Sequence, residues 1–393
     1  MLTDEDRDWL PAIPEGLEPL SPNPGGFGDP DALVGRELEQ TRLAQAVSAG
    51  GAHVTGERRM GKSWLVRKLQ DDLRDTVTAI YISAETSDLA RFEDRFLQEL
   101  RRNGLIRAKA RSWGFDLDAT VKLKILGSGV TLSLGARRAG DSGAAEPREV
   151  DALDLLASSS GQPIVLIIDE ITELCRALGP KEAREFLNGL RARRQAGRLP
   201  LVLTGSIGLH HTLDDFSPVN DLWTVNVGPL TREDAVILAT RLLLGISVTP
   251  SPHLVANIVS GTGGIPYYIQ GVVQGFIDHD TLDADAVIAQ SLAHNVWDTE
   301  HYLTRLPLYY GEKGAKRARA ILDFVATAVG PVEADAVLAR LGADHADLKV
   351  KRDDLLDLLD KLEKDHYLVR EDTTERMSSA MLTRIWRYHR RLP

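Results

Sequence analysis

The apolar positions along this chain change their period several times, and each change marks an element. Leu33, Val34, Leu38, Leu43, Ala46 and Val47 keep a rough helical spacing, which predicts a helix from Asp31 that the Gly50-Gly51 pair ends. A short strand, Ala52 to Thr55, follows, and then a helix from Lys62 to Leu73 with Leu65, Val66, Leu69 and Leu73 on one face. TVTAIYIS (Thr76 to Ser83), PIVLIIDE (Pro163 to Glu170), LPLVLTGS (Leu199 to Ser206) and LWTVNVG (Leu222 to Gly228) read as further strands. The near-continuous apolar runs among them predict strands buried on both faces of a parallel sheet, with helices between them as right-handed crossovers. Val121 to Gly135 instead alternates apolar and polar residues around a Gly-Ser-Gly loop, which predicts an inserted β-hairpin. The next segment, Ala136 to Val150, has no core pattern and is expected to be a mobile loop.

Outside this alternation the pattern changes character at both ends. Residues 1–32 are rich in proline and glycine without sustained periodicity and are expected to form an extended arm. After Leu230 the text is helical, opening on TREDAVILATRLLL with Thr231 as N-cap and acids in the first turn. From about His301 the order is a helix at Ala315–Val329, a helix at Glu333–Leu341, a longer helix at Asp347–Lys364, then two strand-like pieces, HYLVRED and ERMSSAML. Helices followed by a β-ribbon are the order of a winged helix. The expected domains are thus the arm at 1–32, a core at 33–230 with an insertion at about 105–150, a helical lid at 231–300 and a winged helix at 301–393.

Composition narrows the picture. With 393 residues, 43% of them hydrophobic, the chain is long enough for two or three domains with real cores. Its net charge of -10 argues against a protein that coats nucleic acid, because phosphate binding rests on a basic surface. The acidic start MLTDEDRDWL lacks an apolar leader region, and no stretch approaches the roughly 18 apolar residues of a membrane span. The single cysteine, Cys175, cannot form an internal disulfide, which fits a reducing cytoplasm.

The candidate chemistry begins at VTGERRMGKSWLV, which holds the pattern G-x-x-x-x-G-K-[ST] between a strand and a helix. Backbone N–H groups between Gly56 and Gly61 can point at a β-phosphate, Lys62 can reach the β- and γ-phosphates, and Ser63 can place its hydroxyl on Mg²⁺ at the helix N-terminus. The buried strand VLIIDE supplies a second half. Asp169 at its carboxyl end can hold Mg²⁺ through water, and Glu170 can orient or deprotonate the attacking water. LTGS brings Thr204 and Ser206 to the end of a neighbouring strand, where either a γ-phosphate contact or a plain small-residue turn suits them. GTGGIPYYIQ makes a loop-to-helix start that can lie close to a nucleotide base.

Taken in order, LVGREL, GERRMGKS, LIIDEITEL, LTGS, GPLTREDA and GGIPYYI resemble the archaeal-type ATPases of the AAA+/STAND branch of P-loop proteins, over about residues 33–270. The resemblance implies an α/β fold: a P-loop NTPase parallel sheet with a β-hairpin insertion, a helical lid and a winged-helix domain. It also implies ATP rather than GTP, bound with Mg²⁺. Val34, Gly35 and Arg36 would line the adenine side, and Pro266 would touch the nucleotide from the lid. Gly56, Glu57, Arg58, Arg59, Met60, Gly61, Lys62, Ser63 and Trp64 would surround the phosphates. Asp169 and Glu170 would serve metal and water, and Thr204 and Ser206 would act as sensor.

The sequence departs from AAA+ rings in one respect. Those rings place an arginine between the sensor strand and the next strand to reach a neighbouring subunit's γ-phosphate, yet no Lys or Arg occurs from Leu201 to Thr231. Such a finger is worth about 10³ to 10⁵ in rate, so an isolated molecule should hydrolyse slowly unless another cation substitutes. Arg58 and Arg59 are the nearest substitutes; Arg191, Arg193, Arg194 and Arg198 are others, on what reads otherwise as a solvated helix face. The leading expectation is an ATP-driven switch that acts through a homo-oligomer or a separately encoded effector. The alternative is a DNA-binding ATPase like the origin-recognition initiators, for which the tail arginines 384, 387, 390 and 391 speak, and against which stands the acid-rich helix from Asp347.

Overall fold

The computed structural model describes residues 9–26, 28–84, 88–105, 120–124, 129–133, 148–157, 162–206, 209–213, 217–344 and 350–393. The chain divides into two compact units. One comprises Glu37–Thr55 and Lys62–Asn226; the other comprises Met1–Arg36, Gly56–Gly61 and Val227–Pro393.

In chain order the first unit contains helix α1 (Glu37–Ser48), strand β1 (Gly51–Thr55), α2 (Lys62–Leu73), β2 (Thr78–Ser83) and α3 (Leu89–Arg102). It continues with β3 (Thr120–Lys124), β4 (Gly129–Ser133), β5 (Arg148–Asp151), α4 (Ala152–Ala157), β6 (Ile164–Asp169), α5 (Ile171–Leu178), α6 (Pro180–Gln195), β7 (Leu201–Gly205) and β8 (Trp223–Asn226). Strands β2-β6-β7-β1-β8 form one five-stranded sheet in that order, and every pairing in it is parallel. This is the parallel sheet the apolar runs predict. Every residue of β6 and of β7 is buried, as central parallel strands require. Because all strands point one way, the carboxyl ends of β6, β7 and β1 lie side by side: Thr55 pairs with Gly205, and Ile168 with Leu203. That edge of an open parallel sheet is where ligands bind.

Three expectations need correction here. The helix predicted from Asp31 begins only at Glu37; Pro30–Ala32 is a separate 3₁₀ turn. Gly35 at φ 65° breaks the helical path, and a Cβ there would lie 2.4 Å from Asp234 Cβ, so only glycine fits. The hairpin exists, but its ladder closes with Lys124 opposite Gly129, so Gly129 belongs to the strand rather than to the loop, and 125–128 lie outside the described residues. Part of the segment expected to be mobile, from Arg148, is a strand that pairs in parallel with β3. Backbone pairing made that strand, not a side-chain alternation, which is why its sequence carried no signal. Residues 136–147 of that segment lie outside the described ones.

In the second unit residues 9–26 run without regular structure. The arm is held by its backbone: Leu20 N–H donates to the Arg241 carbonyl at 2.9 Å, and Arg241 Nε donates to the Glu18 carbonyl at 2.9 Å. Helices α7 (Arg232–Gly245), α8 (Pro252–Thr262), α9 (Pro266–His279) and α10 (Ala284–Ala293) follow. Thr231, Ser251 and Asp283 cap three of them through their side chains. The helix α11 (His301–Thr327) bends at Gly311, which has φ 65° and ψ 173°. After it come β9 (Val332–Glu333), α12 (Ala334–Asp344), α13 (Arg352–Lys364), β10 (Leu368–Glu371), β11 (Thr374–Met377) and α14 (Ala380–Arg390). Strands β10, β11 and β9 form an antiparallel sheet. The strand expected at ERMSSAML stops at Met377, because Ser379 Oγ accepts from the Leu382 N–H at 3.0 Å and so caps a helix instead. Among the described residues no helix is long and apolar enough to cross a membrane.

Candidate functional site

In the first unit, the side chains at the carboxyl ends of β6 and β7 form a closed set of hydrogen bonds. Asp169 is 2% exposed and Thr204 fully buried. Thr204 Oγ1 donates to Asp169 Oδ1 and accepts from the Glu170 N–H at 3.0 Å. Its hydroxyl therefore braces both acids at once. Glu170 Oε2 accepts from the Ser206 hydroxyl at 3.0 Å and from the Ser206 N–H at 3.2 Å. Burial pushes the Glu170 carboxyl up, Lys62 pulls it back, and Asp169 adds to the rise. Glu170 also stands at φ 57° and ψ 47°, the left-handed region, just before α5 and without a capping bond. A non-glycine residue in that region costs free energy that is retained chiefly where geometry is needed.

Lys62 and Ser63 open α2, and Lys62 is 5% exposed despite its charge. The structure thus brings Lys62, Asp169, Glu170, Thr204 and Ser206 into one neighbourhood. It adds Tyr81, which the sequence reading missed: its hydroxyl donates to Asp169 Oδ2 at 2.5 Å. The alternation of TAIYIS, which sets Tyr81 and Ser83 apart from Ile80 and Ile82, was the available signal.

The loop Gly56–Gly61 belongs to the second unit, and its side chains have partners there. Gly56 at φ 150° lies so close to Val227 that a Cβ would sit 2.2 Å from the carbonyl oxygen; Gly61 has φ 91°. Glu57, 3% exposed, accepts from the Tyr302 hydroxyl at 2.5 Å. Burial, and then the Glu57 carboxylate, push Tyr302 well above the ordinary phenol range, which keeps it a donor. Arg59 lays its guanidinium 4.0 Å from the Tyr267 ring centre and donates to the Trp297 carbonyl at 3.3 Å. Arg58 is exposed, and the Trp64 position opens the first turn of α2 after Ser63.

Arg36, 2% exposed, donates to the carbonyls of Met60 at 3.0 Å and Gly228 at 2.6 Å. Leu230 N–H then donates to the Gly264 carbonyl at 2.9 Å, which sets Pro266 at the start of α9. Arg36, Gly35, Met60 and Pro266 are therefore threaded onto one set of backbone contacts. Val34 is half-buried beside them in sequence. None of the Tyr302, Trp297 or Gly228 contacts was visible in a one-dimensional pattern, because hundreds of residues separate the partners.

Three of the other arginines considered as cation sources, Arg191, Arg193 and Arg194, are engaged. Arg194 pairs with Asp221, Arg191 reaches Asp221 at 3.6 Å, and Arg193 holds Asp151 at 3.0 Å and Asp154 at 2.8 Å. Burial opposes the shift at Asp221, but bonds from Arg194 and Gln195 hold its carboxyl below the usual range. In the tail, Arg384 pairs with Asp285 at 2.8 Å, Arg390 grips Asp323 through Nε and Nη2, and Arg387 donates to the Ala326 carbonyl at 2.7 Å. On α13, Arg352 pairs with Asp335 and Lys364 with Asp360.

Comparison with known proteins agrees with this fold. The AAA ATPase domain family matches residues 32–204. Among solved structures, the Walker-type ATPase PABY2304 of Pyrococcus abyssi superposes with a TM-score of 0.64 at 17% identity, covering 91% of this chain and 97% of its own. The ORC2 protein of Aeropyrum pernix gives a TM-score of 0.49 at 13% identity, over 95% of this chain and 96% of its own. The RuvB branch-migration motor of Thermotoga maritima gives 0.39 at 16% identity, over 92% and 97%. No curated protein matches in sequence. Residues 32–204 are thus similar to an AAA ATPase domain, and the chain has the fold of a P-loop ATPase.

Proposed function

We propose that the protein binds and slowly hydrolyses ATP, and uses the nucleotide state as a conformational switch of the STAND type. Gly56–Trp64 wrap the phosphates, Lys62 carries the charge to the β- and γ-oxygens, and Val34, Gly35, Arg36 and Pro266 flank the base. The donor set suits a hard divalent ion: a serine hydroxyl and a carboxylate, with Asp169 using only two of its roughly four acceptor positions on Thr204 and Tyr81. Ser63 and Asp169 would hold Mg²⁺, which supplies charge neutralisation at the β- and γ-phosphates when bound. Glu170, aimed by Ser206, accepts the proton of the attacking water, and its raised pKa suits a base.

The observation that carries the switch reading is the tether of the phosphate loop. Glu57 is bonded to Tyr302, and Arg59 to Tyr267 and Trp297. A loop that changes with its ligand is thereby wired to a segment that ends in what we read as a helical lid, 231–300, and a winged helix, 301–393. The same contacts make Arg59 a structural strap rather than a supplier of γ-phosphate charge, which fits slow turnover. The output passes to further copies of the chain or to a separate protein effector, in the cytoplasm.

One comparison tests this: particle size and retained nucleotide with ATP, ADP or neither, for wild type, Lys62→Ala and Glu170→Gln. Lys62→Ala should lose ATP, and Glu170→Gln should retain it in a form distinct from the ADP form. Full ATP binding by Lys62→Ala overturns the site, and wild-type turnover above roughly 10 per second overturns the switch. DNA binding is disfavoured by the acid pairing of two tail arginines, Arg384 and Arg390, and of Arg352 and Lys364 on α13; duplex binding with a steep salt dependence would reverse that order.

A further inference from the structure

Tyr81 has a position that packing alone does not explain. The register sets Ser83 opposite Asp169. Side chains alternate along a strand, so Tyr81 shares the face of Ser83 and meets Asp169 one diagonal step away. Its hydroxyl donates to Oδ2 at 2.5 Å, while Thr204 donates to Oδ1. Each carboxylate oxygen is thus engaged by a separate hydroxyl. The Tyr81 ring is itself covered: the Arg67 guanidinium carbon lies 4.2 Å from its centre. Arg67 follows Ser63 by one turn of α2, on the same helical face. One rigid helix therefore carries both the serine hydroxyl and the cation that steadies the tyrosine.

We propose that Tyr81 is a positioning residue for the nucleotide's divalent cation. It locks the otherwise soft terminal torsion of Asp169, so that the carboxylate presents its remaining acceptor positions to metal-bound water. Arg67 prevents the ring from swinging away. The inference rests on the reading that Ser63 and Asp169 hold Mg²⁺. Outer partners of this kind are worth about 10- to 100-fold in metal affinity. With Thr204 still in place, the lower end applies.

The test compares wild type, Tyr81→Phe and Asp169→Asn by binding of mant-ATP, once with saturating Mg²⁺ and once in EDTA, together with thermal unfolding. The quantity read is the ratio of the two dissociation constants, which isolates the metal's share of affinity. Tyr81→Phe should lower that ratio about tenfold, leave the EDTA affinity within twofold of wild type and barely move the melting temperature; Asp169→Asn should lower it at least as much. If Asp169→Asn lowers the ratio and Tyr81→Phe does not, the role of Tyr81 is overturned while the site stands. If Tyr81→Phe weakens binding equally with and without metal, Tyr81 merely packs, and the proposal also fails. If wild type binds no mant-ATP, or Asp169→Asn leaves the ratio unchanged, the site itself is wrong and the proposal falls with it.

Discussion

At the scale of single residues, Asp169 and Glu170 are adjacent acids with different environments. Asp169 receives two hydroxyl donors, whereas Glu170 is stripped of water, and only Lys62 and Ser206 favour its charged form. The sign of that difference is testable. A native pKa raised above the unfolded value makes the folded state bind more protons, so stability is full below the ordinary carboxylate pKa of about 4.3 and falls as pH rises above it. Glu170→Gln should therefore be more stable than wild type at pH 7, with the gap closing below about pH 4 in urea denaturation. A substitution that destabilises at pH 7 would show that Ser206 and Lys62 outweigh burial. The residue types at 169, 170, 204 and 206 were legible as pattern. Their pairing was not, because Thr204 serves as a brace between the acids, and nothing in the letters LTGS distinguishes a brace from a sensor.

At the scale of elements, the strand-loop-helix around Gly56–Ser63 was readable because Gly56 and Gly61 take positive φ in a loop between an apolar strand and an amphipathic helix. The use of the remaining loop positions was hidden. Of the two arginines in that loop, Arg59 is taken up by Tyr267 and Trp297. Glu57 is tied in the same way. Tyr302→Phe removes one donor from a buried carboxylate and should cost about 1–3 kcal/mol in chemical denaturation. An unchanged midpoint would mean that the loop is held by its backbone alone. The helix boundary at Glu37 and the strand β5 escaped the reading for related reasons: the first depends on Gly35 approaching Asp234, and the second on a backbone ladder to β3.

At the scale of the whole molecule, acid sensitivity follows from two histidines, one in each unit. Burial lowers His53 to about 4, and burial with the Arg305 charge lowers His301 to about 3. Below pH 6.5 the unfolded chain takes up protons that the native chain refuses, so stability is full above that value and is lost as pH falls toward 4 and then 3. Each histidine contributes a slope of up to about 1.4 kcal/mol per pH unit in that window. Urea midpoints measured at pH 7 and pH 5 should show the loss, and His53→Gln should flatten it; equal midpoints would contradict the burial. The five-stranded parallel sheet and the glycine loop between β1 and α2 were already determined by local order, since apolar period and glycine spacing act through neighbouring residues. What tertiary structure alone decided is which polar and charged groups meet: Glu57 with Tyr302, Tyr81 with Asp169, Arg384 and Arg390 with their acids, and Arg387 with a carbonyl. A charge acts through space over a few ångströms, and only the folded chain sets which residues come that close.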